Sequence, residues 1–389
     1  MSENTGFYIH IPFCVRKCPY CDFYSSSDLS LRSDFVKAFL QEMQLRSDSL
    51  TQIDTIYFGG GTPSVLEPCD IEHILSGVYK NFKIMDNCEV TMEVNPGTVK
   101  DDFFQKIRSF GVNRLNIGVQ SFQDEKLGFL NRIHSAQDAE DALLKARKAG
   151  FGNIGLDIIY GLPGESRESL IYDLDAGLNF SPEHISCYML TYEPGTSMYN
   201  QVKNGKIHPL DDDSAASLFK TASQYLEENG YLHYEISNFA CDLHNRLYKR
   251  AENSSYNRHG NSSGSRFGNN SDNRPGNRSG SRFDNSSGSR FGNSSDYRSR
   301  HNRKYWNMVP YMGFGPSAHS FDKNVRFANH KDVKKYIADL EAEILPVMER
   351  EELTPDQRMV EVVMLGLRTS DGVDIRQFEA IAEKSFSTM

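Results

Sequence analysis

The chain has 389 residues, enough for one large α/β domain and an appendage, and it carries a formal net charge of −9. That acidic balance argues against a general nucleic-acid binder. No run of about eighteen apolar residues occurs, so no membrane span is expected, and the opening Met1-Ser-Glu-Asn-Thr-Gly6 lacks the basic-then-apolar pattern of a secretion signal.

Strand-like and helix-like runs alternate up to about residue 200. Phe7–Ile11 reads as a strand leading into a cysteine loop, and residues 31–46 have helical periodicity. Ile53–Phe58 reads as a buried strand that ends in Gly59-Gly-Gly-Thr-Pro63, followed by a helix over 71–82. Glu89–Val94, Arg114–Val119, Ile154–Tyr160 and His184–Leu190 are further strands. Helices over 101–110, 136–149 and 168–178 lie between them, with Gly150 as a stop signal. Six such units imply a parallel sheet covered by helices. The cysteine loop, the glycine-rich loop, Glu93, Gln120 and Asp157 all fall at the C-terminal ends of strands, where α/β sheets carry their sites. Further on, 210–229 reads as a helix, 231–239 as one strand, and 331–341 and 355–368 as helices.

Cys14, Cys18 and Cys21 form a C-x3-C-x2-C run just after the first strand. A four-iron cluster takes four thiolates as a rule, so three leave one iron without a protein ligand, and an open metal position is where a metal does chemistry. A zinc site would need His10 or Asp22 as fourth ligand. A disulfide would leave one thiol over, and nothing points to an oxidising compartment; reduced thiols fit the cytoplasm. Cys69, Cys88, Cys187 and Cys241 lack ligand spacing and read as structural.

Residues 253–300 are six octads beginning with Asn253-Ser-Ser. Eight Arg and three Asp give them +5, leaving −14 for the rest of a chain whose total is −9. With so few apolar side chains to offset the entropy of ordering, the stretch is expected to be disordered, a tolerated loop expansion whose closure entropy grows only logarithmically with length. A basic arm for RNA or acidic lipid is the competing reading.

The motifs together resemble the branch of the radical S-adenosylmethionine (SAM) superfamily that holds the oxygen-independent coproporphyrinogen III oxidases and the related haem chaperones. They are Tyr8-Ile-His-Ile-Pro-Phe-Cys14, the glycine loop, Gly118-Val-Gln-Ser-Phe122, Asp157-x-Ile-Tyr-Gly-Leu-Pro163 and Gly313-Phe-Gly-Pro-x-Ala-His-Ser320. The likeness covers everything but the octads. It implies a partial (β/α)6 barrel of the TIM type over 1–205, with an α/β extension over 206–252 and 301–345. It also implies a helical C-terminal domain over 346–389, shorter than this branch would lead one to expect. It makes Cys14, Cys18 and Cys21 the ligands of a 4Fe–4S cluster. Tyr8, Tyr20, Gly60, Gly61, Thr62, Glu93, Gln120, Arg132 and Asp157 match SAM-contacting positions. Apart from the resemblance, Asp157 could be a capping or pairing group inside the barrel and Arg132 half of a surface ion pair.

Phe23 stands where the oxidases carry an additional cysteine, and His301-Asn-Arg-Lys-Tyr-Trp306 fits the H-N-x-x-Y-W pattern of the chaperones. The resemblance therefore implies haem as a ligand, with His301 as the candidate axial imidazole and His319 and His244 as competitors. Tyr305 and Trp306 could pack on the porphyrin or on the core. The implied partner is a haem-accepting protein, with the membrane one place for it. The alternative is an enzyme that decarboxylates coproporphyrinogen propionates.

Overall fold

The computed structural model describes residues 4–242 and 296–382. Residues 253–295 of the octad array, and His244 before it, lie outside the described residues.

Alternation along the strands sets the architecture. In β1 (Thr5–Ile11), Phe7, Ile9 and Ile11 are fully buried in the main core, while Tyr8 and His10 project from the opposite face. The pattern repeats in β2 (Asp48–Gly60), β3 (Phe82–Val94), β4 (Arg114–Gln120), β5 (Ile154–Tyr160) and β6 (His184–Met189). Phe58, Met92, Ile117, Leu156 and Ile185 join the core under the helices. Tyr57, Glu93, Asn116, Asp157 and Ser186 line a cavity on the other face. The six strands pair in parallel in chain order.

Past β6, β7 (Tyr231–Glu235) and β8 (Asn238–Cys241) form an antiparallel edge. On the other side β9 (Tyr311–Phe314) pairs in parallel with β1. The antiparallel β10 (His319–Asp322), β11 (Val325–Asn329) and β12 (Val347–Glu352) follow. Among the described residues twelve strands make one sheet that ends at β12 and β7 and does not close, the α/β partial barrel that the resemblance implies. Among the described residues no helix is long and apolar enough to cross a membrane.

The structure corrects several expectations. The stretch 231–239 is not one strand but the start of a hairpin, because the chain turns between Glu235 and Asn238 and β8 runs on to Cys241. Asp157 sits in the middle of β5 rather than at its end, paired with Ser186 across the ladder. The last residues of the octad array belong to the fold. Tyr297 offers its carbonyl to buried Arg114, and Ser299 caps the helix Arg300–Trp306 by accepting from the Asn302 N–H. Cys88, Cys187 and Cys241 are buried, but Cys69 is exposed at the start of the helix Pro68–Asn81 and fills no core space.

One buried carboxylate fastens the first helix, Arg32–Leu45, to the segment after the array. Glu42 is fully buried and accepts hydrogen bonds from Arg46 at 2.8 Å, Asn329 at 2.8 Å, the Tyr336 hydroxyl at 2.6 Å and the Gly315 N–H at 2.9 Å. Replacing Glu42 by Ala strands the Arg46 charge and is expected to lower the unfolding free energy by about 3–5 kcal/mol, read from the urea midpoint. Glu42→Leu combined with Arg46→Met removes both charges and should recover part of that loss; equal loss in the single and double variants would contradict the ion-pair account.

Candidate functional site

The glycine loop and the cysteine loop are built against each other. Gly60 has φ +102°, and a Cβ there would meet the His10 ring at 2.6 Å; at Gly61 one would meet the Phe13 carbonyl oxygen at 2.6 Å. Only glycine lets the backbone come this close. The gain is direct pairing: the Gly61 N–H donates to the Ile11 carbonyl at 2.8 Å and the Thr62 N–H to that of Phe13 at 2.7 Å. The segment that enters Cys14 is thus held by the loop after β2, and the Thr62 hydroxyl donates to Cys14 Sγ at 3.3 Å.

Cys14, Cys18 and Cys21 are free thiols, each partly buried. The Arg132 guanidinium approaches Cys18 Sγ at 3.7 Å and donates to the Gly118 carbonyl at 2.9 Å, so it serves the cavity rather than a surface carboxylate. Burial pushes the Cys21 thiol up to about 11, against a pull from the Phe23 backbone and with help from Cys18 and Cys14. A thiol placed so ionises when a cation replaces its proton. Among the described residues no three His, Cys, Asp or Glu side chains converge on a point that would hold a single metal ion. Three thiols on one loop, with hydrogen-bond donors aimed at two of the sulfurs, are a donor set that fits a thiolate-ligated cluster.

Tyr20, Cys21, Gly60, Gly61, Thr62, Glu93, Gln120, Arg132 and Asp157 all line one cavity of about 600 Å³. Tyr8 is not in that lining; its ring lies beside Tyr57 and its hydroxyl is 3.3 Å from His10 Nδ1. Sequence reasoning missed Tyr57, Asn116, Ser186 and Tyr188. Tyr57 donates to Glu93 at 2.8 Å, Asn116 to Asp157 at 2.7 Å, and Tyr188 to Gln120 at 3.2 Å. Their signal was a polar residue at every second place in otherwise apolar strands.

Glu93 and Asp157 face the cavity and are only partly exposed. Burial raises Glu93 from its ordinary value of 4.5 to about 8, with Asp157 adding to the rise and hydrogen bonds from Tyr57 and Gly60 opposing it. Burial raises Asp157 from 3.8 to about 6, opposed by Asn116, Ser186 and Arg132. Among the described residues neither carboxylate makes an ion pair, although Arg132 lines the same cavity near Asp157.

His301 lies apart from this cavity, although its helix does not: Ser299 and Asn302 are in the lining. The imidazole is 1% exposed, with Nδ1 2.9 Å from the Thr55 hydroxyl and Nε2 2.9 Å from that of Tyr305. Burial, with Lys304 nearby, holds it neutral by lowering its pKa to about 3. Tyr305 packs edge-on against Tyr311, and Trp306 lies under the Arg368 guanidinium at 4.8 Å. His319 is exposed at the start of β10.

Residues 8–176 match the radical SAM superfamily and residues 353–388 the HemN C-terminal domain. The chain is 31% identical over 400 residues to radical S-adenosyl methionine domain-containing protein 1, mitochondrial, of Danio rerio, covering 99% of this chain and 77% of that one. It is 30% identical over 385 residues to the heme chaperone HemW of Mycobacterium tuberculosis, covering 97% and 85%. With the Escherichia coli heme chaperone HemW it shares 40% over 239 residues, 60% of this chain and 62% of that one. In fold it resembles the radical SAM enzyme coproporphyrinogen III oxidase (HemN) from Escherichia coli, with a TM-score of 0.74 and 20% identity over all of this chain and 80% of that one.

A carboxylic acid whose pKa is raised in the folded state binds its proton more tightly there than in the unfolded chain. Stability from Glu93 is therefore present below pH 4.5 and lost as pH climbs to about 8. Glu93→Gln should raise the melting temperature of the ligand-free protein at pH 8 and flatten its pH dependence above about 6. Below about 6 Asp157 adds a slope of its own to that of Glu93. An unchanged or lower melting temperature at pH 8 would refute this.

Proposed function

Because the chain belongs to the radical SAM family of HemW heme chaperones, we propose that it is a haem chaperone built on a cluster-and-SAM scaffold. Cys14, Cys18 and Cys21 would hold a 4Fe–4S cluster, and the cavity lined by Glu93, Gln120, Arg132 and Asp157 would hold SAM. Such a cluster, reduced and in contact with SAM, supplies one-electron chemistry at the sulfonium. The residues here bind and orient. Gly60 and Gly61 let the loop after β2 lie against the cysteine loop, Glu93 and Asp157 meet a cationic ligand, and Arg132 spans from Cys18 to β4. The observation that carries the cofactor reading is the shared wall: Cys21, the glycine loop and both buried carboxylates line one cavity.

For haem rather than porphyrinogen chemistry, support comes from the relatives and from Phe23, which leaves no fourth cysteine in the loop and stands 65% exposed at the cavity mouth. His301 is the proposed axial ligand, and the haem would pass to an acceptor protein. Because both its ring nitrogens are hydrogen-bonded, ligation requires release from Thr55 or Tyr305.

The test is an anaerobic preparation with rebuilt cluster, titrated with haem and followed at the Soret band, with coproporphyrinogen turnover assayed in the same samples. Stoichiometric haem binding that His301→Ala abolishes is expected, with no decarboxylation and with faster binding in Tyr305→Phe, where Nε2 is freed. Full binding by His301→Ala would exclude this ligand. Decarboxylation without specific haem binding would make the protein an oxidase.

A further inference from the structure

Behind the cavity wall lies a polar cluster that no cofactor contact accounts for. Lys126, on the helix Asp124–Phe129, has a side chain only 11% exposed, whose ammonium group donates to Asp173 at 2.8 Å and to Glu165 at 2.5 Å. Asp173, on the helix Arg167–Leu178, is fully buried. It also accepts from the Ser121 hydroxyl at 2.9 Å, the Phe122 N–H at 2.7 Å and the Gln123 amide at 2.9 Å. Glu165 accepts from the N–H groups of Gly161 at 2.5 Å and Leu162 at 3.0 Å. One carboxylate therefore grips the loop after β4, the other grips the loop after β5, and the lysine joins them.

Two buried carboxylates and one ammonium are an expensive way to pack a helix on a sheet, since apolar side chains of similar volume commonly do so with equal or greater stability. What they add is direction. The loop that Asp173 grips begins at Gln120, a non-glycine residue at φ +69°, where the ladder slips register between Ile117 and Gln120. A left-handed backbone at such a residue costs roughly 1 kcal/mol or more and persists only where its surroundings fix it. The same helix that carries Lys126 leads to Arg132, whose guanidinium sits over Cys18 and Gly118.

We infer that Asp173, bridged by Lys126 to Glu165, is a positioning set for the cavity: it holds Gln120 and Arg132 in their working places without touching the ligand. This rests on the SAM-site reading above. The test uses the full chain with rebuilt, reduced cluster. SAM is titrated against the cluster's electron paramagnetic resonance spectrum, with melting temperature, amide exchange and haem titration measured in parallel. Asp173→Asn and Lys126→Met should each weaken SAM at least tenfold and speed amide exchange at Gln120–Gln123, with haem affinity within twofold of wild type. Lys126→Arg should keep wild-type SAM affinity. If Asp173→Asn does not fold, Lys126→Met and Ser121→Ala carry the test. SAM affinity within twofold of wild type in cluster-loaded Asp173→Asn and Lys126→Met would overturn the inference. A wild type whose spectrum ignores SAM would overturn the cavity reading itself, and the inference with it.

Discussion

Parallel strands with both faces buried ordinarily read as unbroken apolar runs, because neither face meets water. The strands of this barrel break that rule on one face only. Outward positions such as Phe7, Phe58, Met92 and Leu156 seal the sheet to its helices, while inward positions carry Tyr57, Glu93, Asn116 and Asp157. The apolar face has to supply the stability that the polar face withholds. Glu93 and Asp157 are the sharpest case, since burial raises both pKa values and each is better tolerated as a neutral acid than as an anion. A cationic ligand in the cavity would relieve that conflict.

The rim obeys a different constraint, close backbone contact. Gly60 and Gly61 bring the loop after β2 against the residues that enter Cys14, so the chain leading into that thiol is held by main-chain hydrogen bonds to the barrel. Farther round, Glu42 ties Gly315 and Asn329 to the first helix, which brings the strands after the octad array onto the same sheet as β1. The array can therefore interrupt the chain between β8 and the helix Arg300–Trp306 while the sheet remains continuous on either side.

The parts legible in the sequence were those with strong local pattern: the six β–α units, the cysteine spacing and the glycine loop. Strands β9 to β12 were not legible because each has only four to six residues, and β9 is placed by pairing with β1 at the other end of the chain, although β10 and β11 form a local hairpin. The hairpin β7–β8 read as one strand because the turn between Glu235 and Asn238 contains neither Gly nor Pro. The depth of Asp157 was legible, since it stands at the centre of Ile154–Tyr160, a strand the sequence bounds correctly; the motif around it drew the reading to the strand's end. Ser299 carried the composition of the repeat around it, and nothing local distinguishes a serine that caps a helix from one that fills an octad.

The motif that nominates His301 says nothing of its accessibility, and the residue is 1% exposed. Its helix is part of the barrel's wall: Glu89 accepts from the N–H groups of Arg300 and His301, Lys304 pairs with Asp54 at 2.7 Å and donates to the Asn4 carbonyl, and Arg300 pairs with Asp54 at 3.2 Å. Ser299 and Asn302 line the cavity from the same turn. A movement large enough to present the imidazole to haem iron would disturb these contacts and the cavity lining together. Ligation at His301 and occupancy of the cavity would then be two events on one helix, linked in free energy, and by reciprocity each would alter the affinity of the other.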